Sequence, residues 1–318
     1  MVWLLWAVVH LHLMTQSKLR IVFFGTPDFA AFSLEKIVKS GFHVVGVVTA
    51  IDKPAGRGQK IAESAVKRKA NELGLKILQP ANLKSDDFMR ALESLNPNLG
   101  VVIAFRMLPE KVWPFPTLGT INLHGSLLPQ YRGAAPIHHA IINGETTTGL
   151  TTFFLKHEID TGDIIAKAEL SIGENESLGE LHDRMMVDGA DLIAHTLDLI
   201  SDGNYQTTPQ DFSEELKSAP KLNRDFAELH LQLSLNDFHN KVRGLNPFPG
   251  AWIKSEWGDM KILSGEKMEL SIPDSRNCIV IESRQLFICL HNGCYKVNQM
   301  QLPGKPKMTP VEFINGLK

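Results

Sequence analysis

Leu19–Phe24 (LRIVFF) is a continuous apolar run of strand length, broken by Gly25-Thr26-Pro27-Asp28. Phe29, Phe32, Ile37 and Val38 then recur at helical spacing; Pro27 and Asp28 suit the start of that helix and Gly41 its end. Val44–Thr49 is apolar again. Strand, helix and strand within about 30 residues form a βαβ unit, which requires a parallel sheet. The alternation continues with a helical stretch over Ala62–Leu73 and strands over Leu75–Leu78, Val101–Phe105 and Gly119–His124. A helix over Pro136–Asn143, strands over Leu150–Leu155 and Ile164–Ala168 and a long helix over Leu178–Ile200 follow. This order predicts an α/β fold with a doubly wound, mostly parallel sheet, whose sites open at the carboxyl ends of the strands.

The pattern changes near residue 205. Tyr205–Leu222 is polar and holds Pro209 and Pro220, as a linker would. Beyond it come one helical segment, Leu235–Val242, and short strands over Ala251–Lys254, Cys278–Glu282, Gln285–His291 and Tyr295–Met300, which predict a small β-barrel or sandwich. The predicted organisation is an extension at 1–17, a catalytic domain at 18–204, a linker at 205–222 and a second domain at 223–318. The apolar stretch Met1–Leu13 lacks a basic flank and is too short to span a bilayer, so no membrane insertion is expected.

Composition adds little: 43% apolar and 21% charged residues are ordinary for a globular chain. The formal charge of 33 − 35 = −2 means that any nucleic-acid binding must rest on local patches. The three cysteines, Cys278, Cys289 and Cys294, read as reduced, mostly buried thiols of a cytoplasmic protein, and no metal site is expected.

Asn122-Leu123-His124-Gly125 carries the strongest chemical signal. Residues two apart on a strand share a face, so an amide and an imidazole project together at a strand's carboxyl end. Such a pair can bind a carbonyl oxygen and handle a proton, the two needs of acyl transfer to an amine. Asp160, 36 residues after His124, can reach the same edge from a neighbouring loop; Asp163 is an equal candidate on spacing alone. No G-x-S-x-G elbow, G-x-G-x-x-G fingerprint or Walker loop accompanies them, which argues against a serine nucleophile, hydride transfer and nucleotide hydrolysis. The nucleophile expected is the substrate's own amine.

The segments INLHGSLLPQYRGAAPI and HEIDTGDII, with FFGTPDFA near the start, DKPAGRG at Asp52–Gly58 and LNPFPGAW at Leu245–Trp252, closely resemble the methionyl-tRNA formyltransferases. The likeness runs from about residue 18 to 318. It implies a Rossmann-like catalytic domain followed by an OB-like barrel. It further implies 10-formyltetrahydrofolate as formyl donor, initiator methionyl-tRNA as acceptor, and Asn122, His124 and Asp160 as the catalytic trio. By the same resemblance Ser126, Leu127, Leu128 and Pro129 match the folate-binding stretch, and Lys53, Arg57 and Lys60 belong to a loop that reaches the tRNA acceptor stem. Two departures touch the folate side. Gln130 stands where many relatives carry a basic residue, and Ala104-Phe105-Arg106 replaces a more usual Ala-Tyr-Gly, making Arg106 a candidate folate contact.

Local charge agrees with an RNA partner. Asp52–Lys69 carries six basic and two acidic residues, +4, and the tail from Arg284 five and one, again +4. The rival readings are a formyltransferase acting on an amino sugar nucleotide, a hydrolase releasing formate from folate, and a non-catalytic tRNA-binding protein. The first lacks the DKPAGRG loop, and the intact trio argues against the last. A monomer in the cytoplasm is expected.

Overall fold

The computed structural model of the chain describes residues 19–55, 60–213, 215–268 and 278–317. The 1–17 extension and Arg57 lie outside the described residues. The elements run β1 (Arg20–Gly25), α1 (Asp28–Lys39), β2 (His43–Val48), β3 (Lys53–Ala55), β4 (Lys60–Ala62), α2 (Ala65–Glu72), β5 (Ile77–Leu78), α3 (Asp86–Leu95), β6 (Leu99–Ile103) and β7 (Thr120–His124). They continue with β8 (Arg132–Gly133), α4 (Pro136–Ile142), β9 (Thr147–Phe154), β10 (Ile164–Ser171), α5 (Leu178–Asp202) and β11 (Ser218–Ala219). The rest is α6 (Leu235–Gly244), β12 (Ala251–Ser255), β13 (Gly258–Met268), β14 (Cys278–Glu282), β15 (Gln285–Leu290), β16 (Gly293–Gln301) and α7 (Pro310–Asn315).

Two compact units result. The first gathers the described residues up to Gln130, Gly149–Glu169 and Arg184–Leu216; the second gathers Tyr131–Thr148, Leu170–Asp183 and Lys217 onward. The first is built on a seven-stranded sheet in the order β10-β9-β7-β6-β1-β2-β5. Strands β7, β6, β1, β2 and β5 run parallel, and β9 is antiparallel to β7. The sheet is therefore doubly wound from β1 and mostly parallel, as the alternation predicts.

Its core is apolar on both sides of β1, where Ile21, Val22, Phe23 and Phe24 are buried. Val22, Phe24, Val48 and Val102 pack with Phe88, Leu92 and Leu95 of α3, and burying each large side chain contributes about 1.5–3 kcal/mol. Helix α3 has no counterpart in the sequence expectation, although its signals are present. Ser85 caps it by accepting the Phe88 N–H, Asp86 and Asp87 occupy its first turn, and Asn96 ends it in the left-handed region at φ 46°.

The second unit holds a five-stranded antiparallel sheet, β12-β13-β16-β15-β14, which forms the OB-like half-barrel. Register shifts at Ser264 bend β13 against β16. Phe238 and Val242 of α6 close the barrel core with Ile262, Ile288, Tyr295 and Phe313. The three cysteines are not all reduced thiols. Cys289 and Cys294 stand opposite each other on β15 and β16, with Cα atoms 4.1 Å apart, and form a disulfide, leaving Cys278 as a free thiol. The tight turn at Asn292 brings them face to face, a consequence of pairing register that cysteine counting does not see. Among the described residues no helix is long and apolar enough to cross a membrane.

Candidate active site

Asn122 and His124 project from the last turn-free stretch of β7, whose neighbours are β6 and β9. Thr120 and Ile121 are buried at the strand's start, and alternation along β7 places Thr120, Asn122 and His124 on one face. Asn122 is half-buried and His124 is 6% exposed. The loop between β9 and β10 brings Asp160 to the same edge: its Oδ2 lies 3.8 Å from Nδ1 of His124, and its side chain retains 13% exposure. Asp163 is turned elsewhere and pairs with Lys156 at 2.7 Å. Of the two carboxylates that spacing left open, Asp160 is the one beside the imidazole.

Asp160 adopts φ 54°, in the left-handed region that a side chain enters at a cost, though Asp tolerates it better than most. Gly162 is part of the same turn. A Cβ there would stand 1.5 Å from the Phe154 carbonyl oxygen, so only glycine lets the loop close on β9.

The segment after His124 is held by side chains that sequence reading missed. Thr151 Oγ1 donates to the Ser126 carbonyl at 2.7 Å and accepts the Leu128 N–H at 3.1 Å. Lys167 Nζ donates to the Leu128 carbonyl at 2.6 Å, and the buried Ser126 hydroxyl donates to the Gln130 carbonyl at 2.6 Å. Ser126 and Leu128 are turned inward, while Leu127 and Pro129 are half-buried at the edge. Gln130 donates to the Glu215 carbonyl at 3.1 Å. Arg106 is exposed, and its guanidinium donates to the carbonyls of Pro80 and Ala81 at 2.6 and 3.2 Å. It braces a neighbouring loop.

The basic loop has a clamped base. Its short hairpin pairs Lys53 with Ala62 and Ala55 with Lys60 across β3 and β4. Lys67 ties the two ends together, bonding Asp52 on one side and Glu63, at 2.8 Å, on the other. The Lys67 ammonium holds the Asp52 carboxyl below its usual range, with help from the Gln79 amide. Lys69 is engaged by Glu72 at 2.7 Å and Glu35 at 3.4 Å. The cationic character counted in sequence is thus partly offset by Asp52, Glu63, Glu35 and Glu72, and Lys53, exposed on β3, and Lys60, the first residue of β4, belong to the hairpin itself. Among the described residues no group of three His, Cys, Asp or Glu is arranged to hold a metal ion.

Residues 19–197 match the model of the formyl transferase family and 221–318 that of the formyl transferase C-terminal domain. A methionyl-tRNA formyltransferase from Flavobacterium psychrophilum is 49% identical over 306 residues, covering 95% of this chain and 97% of that one. One from Flavobacterium johnsoniae is 46% identical over 305 residues, covering 95% and 97%. Among solved structures, HypX from Aquifex aeolicus in complex with tetrahydrofolic acid superposes with a TM-score of 0.64 at 18% identity, over 94% of this chain. This chain spans about half of HypX, 47% of its length. An N-formyltransferase from Helicobacter canadensis, in complex with folinic acid and dTDP-3-aminofucose, gives a TM-score of 0.61 at 19% identity over 88% of this chain and 98% of that one. These structural likenesses establish the fold.

Proposed function

The chain belongs to the methionyl-tRNA formyltransferase family, and we propose that Asn122, His124 and Asp160 are the groups with which it moves a formyl group onto the α-amino group of initiator methionyl-tRNA. The single observation that carries the assignment is the approach of Asp160 to His124 at the carboxyl edge of β7.

10-Formyltetrahydrofolate supplies the formyl group and keeps N10 as the leaving nitrogen. In this reading the folate lies along the edge after β7, where Leu127 and Pro129 are half-buried while Ser126 and Leu128 face inward. The HypX complex with tetrahydrofolic acid supports a folate on this fold. Asn122 donates an amide N–H to the formyl oxygen as negative charge develops on it. Protonated His124 donates to the same developing oxyanion. Asp160 orients the imidazole through Nδ1 and accepts, through water, the proton that the methionyl amine loses; that proton passes on to N10 as the bond between the formyl carbon and N10 breaks and tetrahydrofolate leaves. A separation of 3.8 Å is longer than a hydrogen bond, and such contacts tighten when the reacting complex assembles. No nucleophile from the chain is needed, because the amine attacks directly.

Lys53, Arg57 and Lys60 of the basic loop meet the acceptor-stem phosphates in this reading, and the enzyme works as a cytoplasmic monomer. Identities of 46–49% with methionyl-tRNA enzymes favour this acceptor over an amino sugar nucleotide, whose representative shares 19% identity. The test is the turnover of His124→Ala with both substrates saturating. The expected loss in kcat is about 10²–10⁴-fold with the fold retained; near-normal turnover removes His124 from the mechanism.

A further inference from the structure

Gln210 is 7% exposed, although residues 202–209 and 211–213 on either side are exposed. Its amide nitrogen donates to the carbonyl oxygens of Asp160 at 2.8 Å and of Gly162 at 2.9 Å. A glutamine amide carries two N–H donors, so it serves both carbonyls at once; its oxygen, placed there, would face two acceptors. Just upstream, Thr208 and Ile164 exchange backbone hydrogen bonds at 2.8 and 2.9 Å, which fixes the segment against the start of β10. The turn that Gln210 grips includes a non-glycine residue at φ 54°, a conformation that persists only where its surroundings enforce it.

We propose that Gln210 is a positioning residue for the reaction: it holds the 160–162 turn so that the Asp160 carboxylate reaches His124. The inference rests on the catalytic reading of Asp160. Buried carbonyls left without donors would draw the turn toward water or other partners. A displacement of the carboxylate by 1 Å can cost about 100-fold in rate. The segment that reads as a linker in sequence thus supplies part of the scaffold of the catalytic edge.

The test is a double-mutant cycle of Q210M, which keeps the volume without the donors, and D160N, with kcat, KM for both substrates and Tm measured for each. Q210M is expected to lower kcat about 10–100-fold while both KM values stay within about threefold, and to have less than about a twofold effect on kcat when D160N is already present. Equal losses in the two backgrounds, or an unchanged kcat in Q210M, would overturn the proposal. Wild-type turnover in D160N alone would instead remove the catalytic reading of Asp160, so the two failures are distinct. Q210E, nearly isosteric and lacking both donors when ionised, replaces Q210M if that variant is recovered unfolded. Unfolding of both assigns Gln210 to the scaffold as a whole and likewise overturns the proposal.

Discussion

A Cβ at position 162 would meet the carbonyl oxygen of Phe154 at 1.5 Å, so the turn that carries Asp160 closes onto β9 only when that position is glycine. Gly162→Ala must push the turn outward. The expected result is a loss of about 1–3 kcal/mol in denaturant unfolding, from overpacking, with kcat down about 100-fold from the displaced carboxylate. Wild-type turnover in that variant would show that the turn's placement is unimportant to the rate. Residue roles were unevenly legible in the sequence. Asn122 and His124 can be paired from strand alternation alone, because i and i+2 share a face. Asp160 can be suspected but not separated from Asp163; only their partners, His124 and Lys156, distinguish them. Gln210 gives no signal, being one polar residue in a polar stretch. Arg106 is a candidate folate contact by resemblance, and its guanidinium also bonds the carbonyls of residues 80 and 81, which the sequence does not show.

At the scale of elements, apolar runs located the parallel strands to within one to three residues, and helical spacing located five of the seven described helices. Helices α3 and α7 and strand β13 have no counterpart in the sequence expectation: Ser85, Phe88, Leu92 and Leu95 supply cap and spacing for α3, Thr309 and Glu312 a capping box for α7, and Gly265 interrupts the alternation of β13. The cross-strand disulfide depends on the register of β15 with β16, which one sequence does not specify. Helix α6 carries a pH-sensitive element. His239 is buried beside Tyr295, ring centroids 5.8 Å apart. Burial, followed by the charges of Arg243 and Lys267, pushes its pKa below the ordinary 6.5. The folded state therefore keeps the imidazole neutral while the unfolded chain takes up a proton below about pH 6.5. Its contribution is present above that pH and is lost as pH falls toward the depressed folded value. Replacing His239 with Leu is expected to flatten the fall in Tm between pH 7 and 5, by differential scanning calorimetry across that range. His138 and His139, also depressed by burial, keep part of the slope. Parallel Tm curves for variant and wild type would exclude His239 as a source.

For the whole molecule, alternation gave the doubly wound sheet and the short strands gave the barrel. The division of contacts did not follow chain order: Tyr131–Thr148 and Leu170–Asp183 group with the residues from Lys217 onward. Long-range grouping of this kind leaves no local trace in composition. The acceptor is likewise a property of the whole chain: the 46–49% identity with methionyl-tRNA formyltransferases extends over 95% of it, beyond the residues at the edge of β7. The direct measurement is transfer of labelled formyl from 10-formyltetrahydrofolate to either charged initiator methionyl-tRNA or an amino sugar nucleotide, compared as kcat/KM. Formyl-methionyl-tRNA is the expected product, with a preference of about 10³-fold or more. Formylation of the sugar nucleotide at an equal or greater kcat/KM would contradict it.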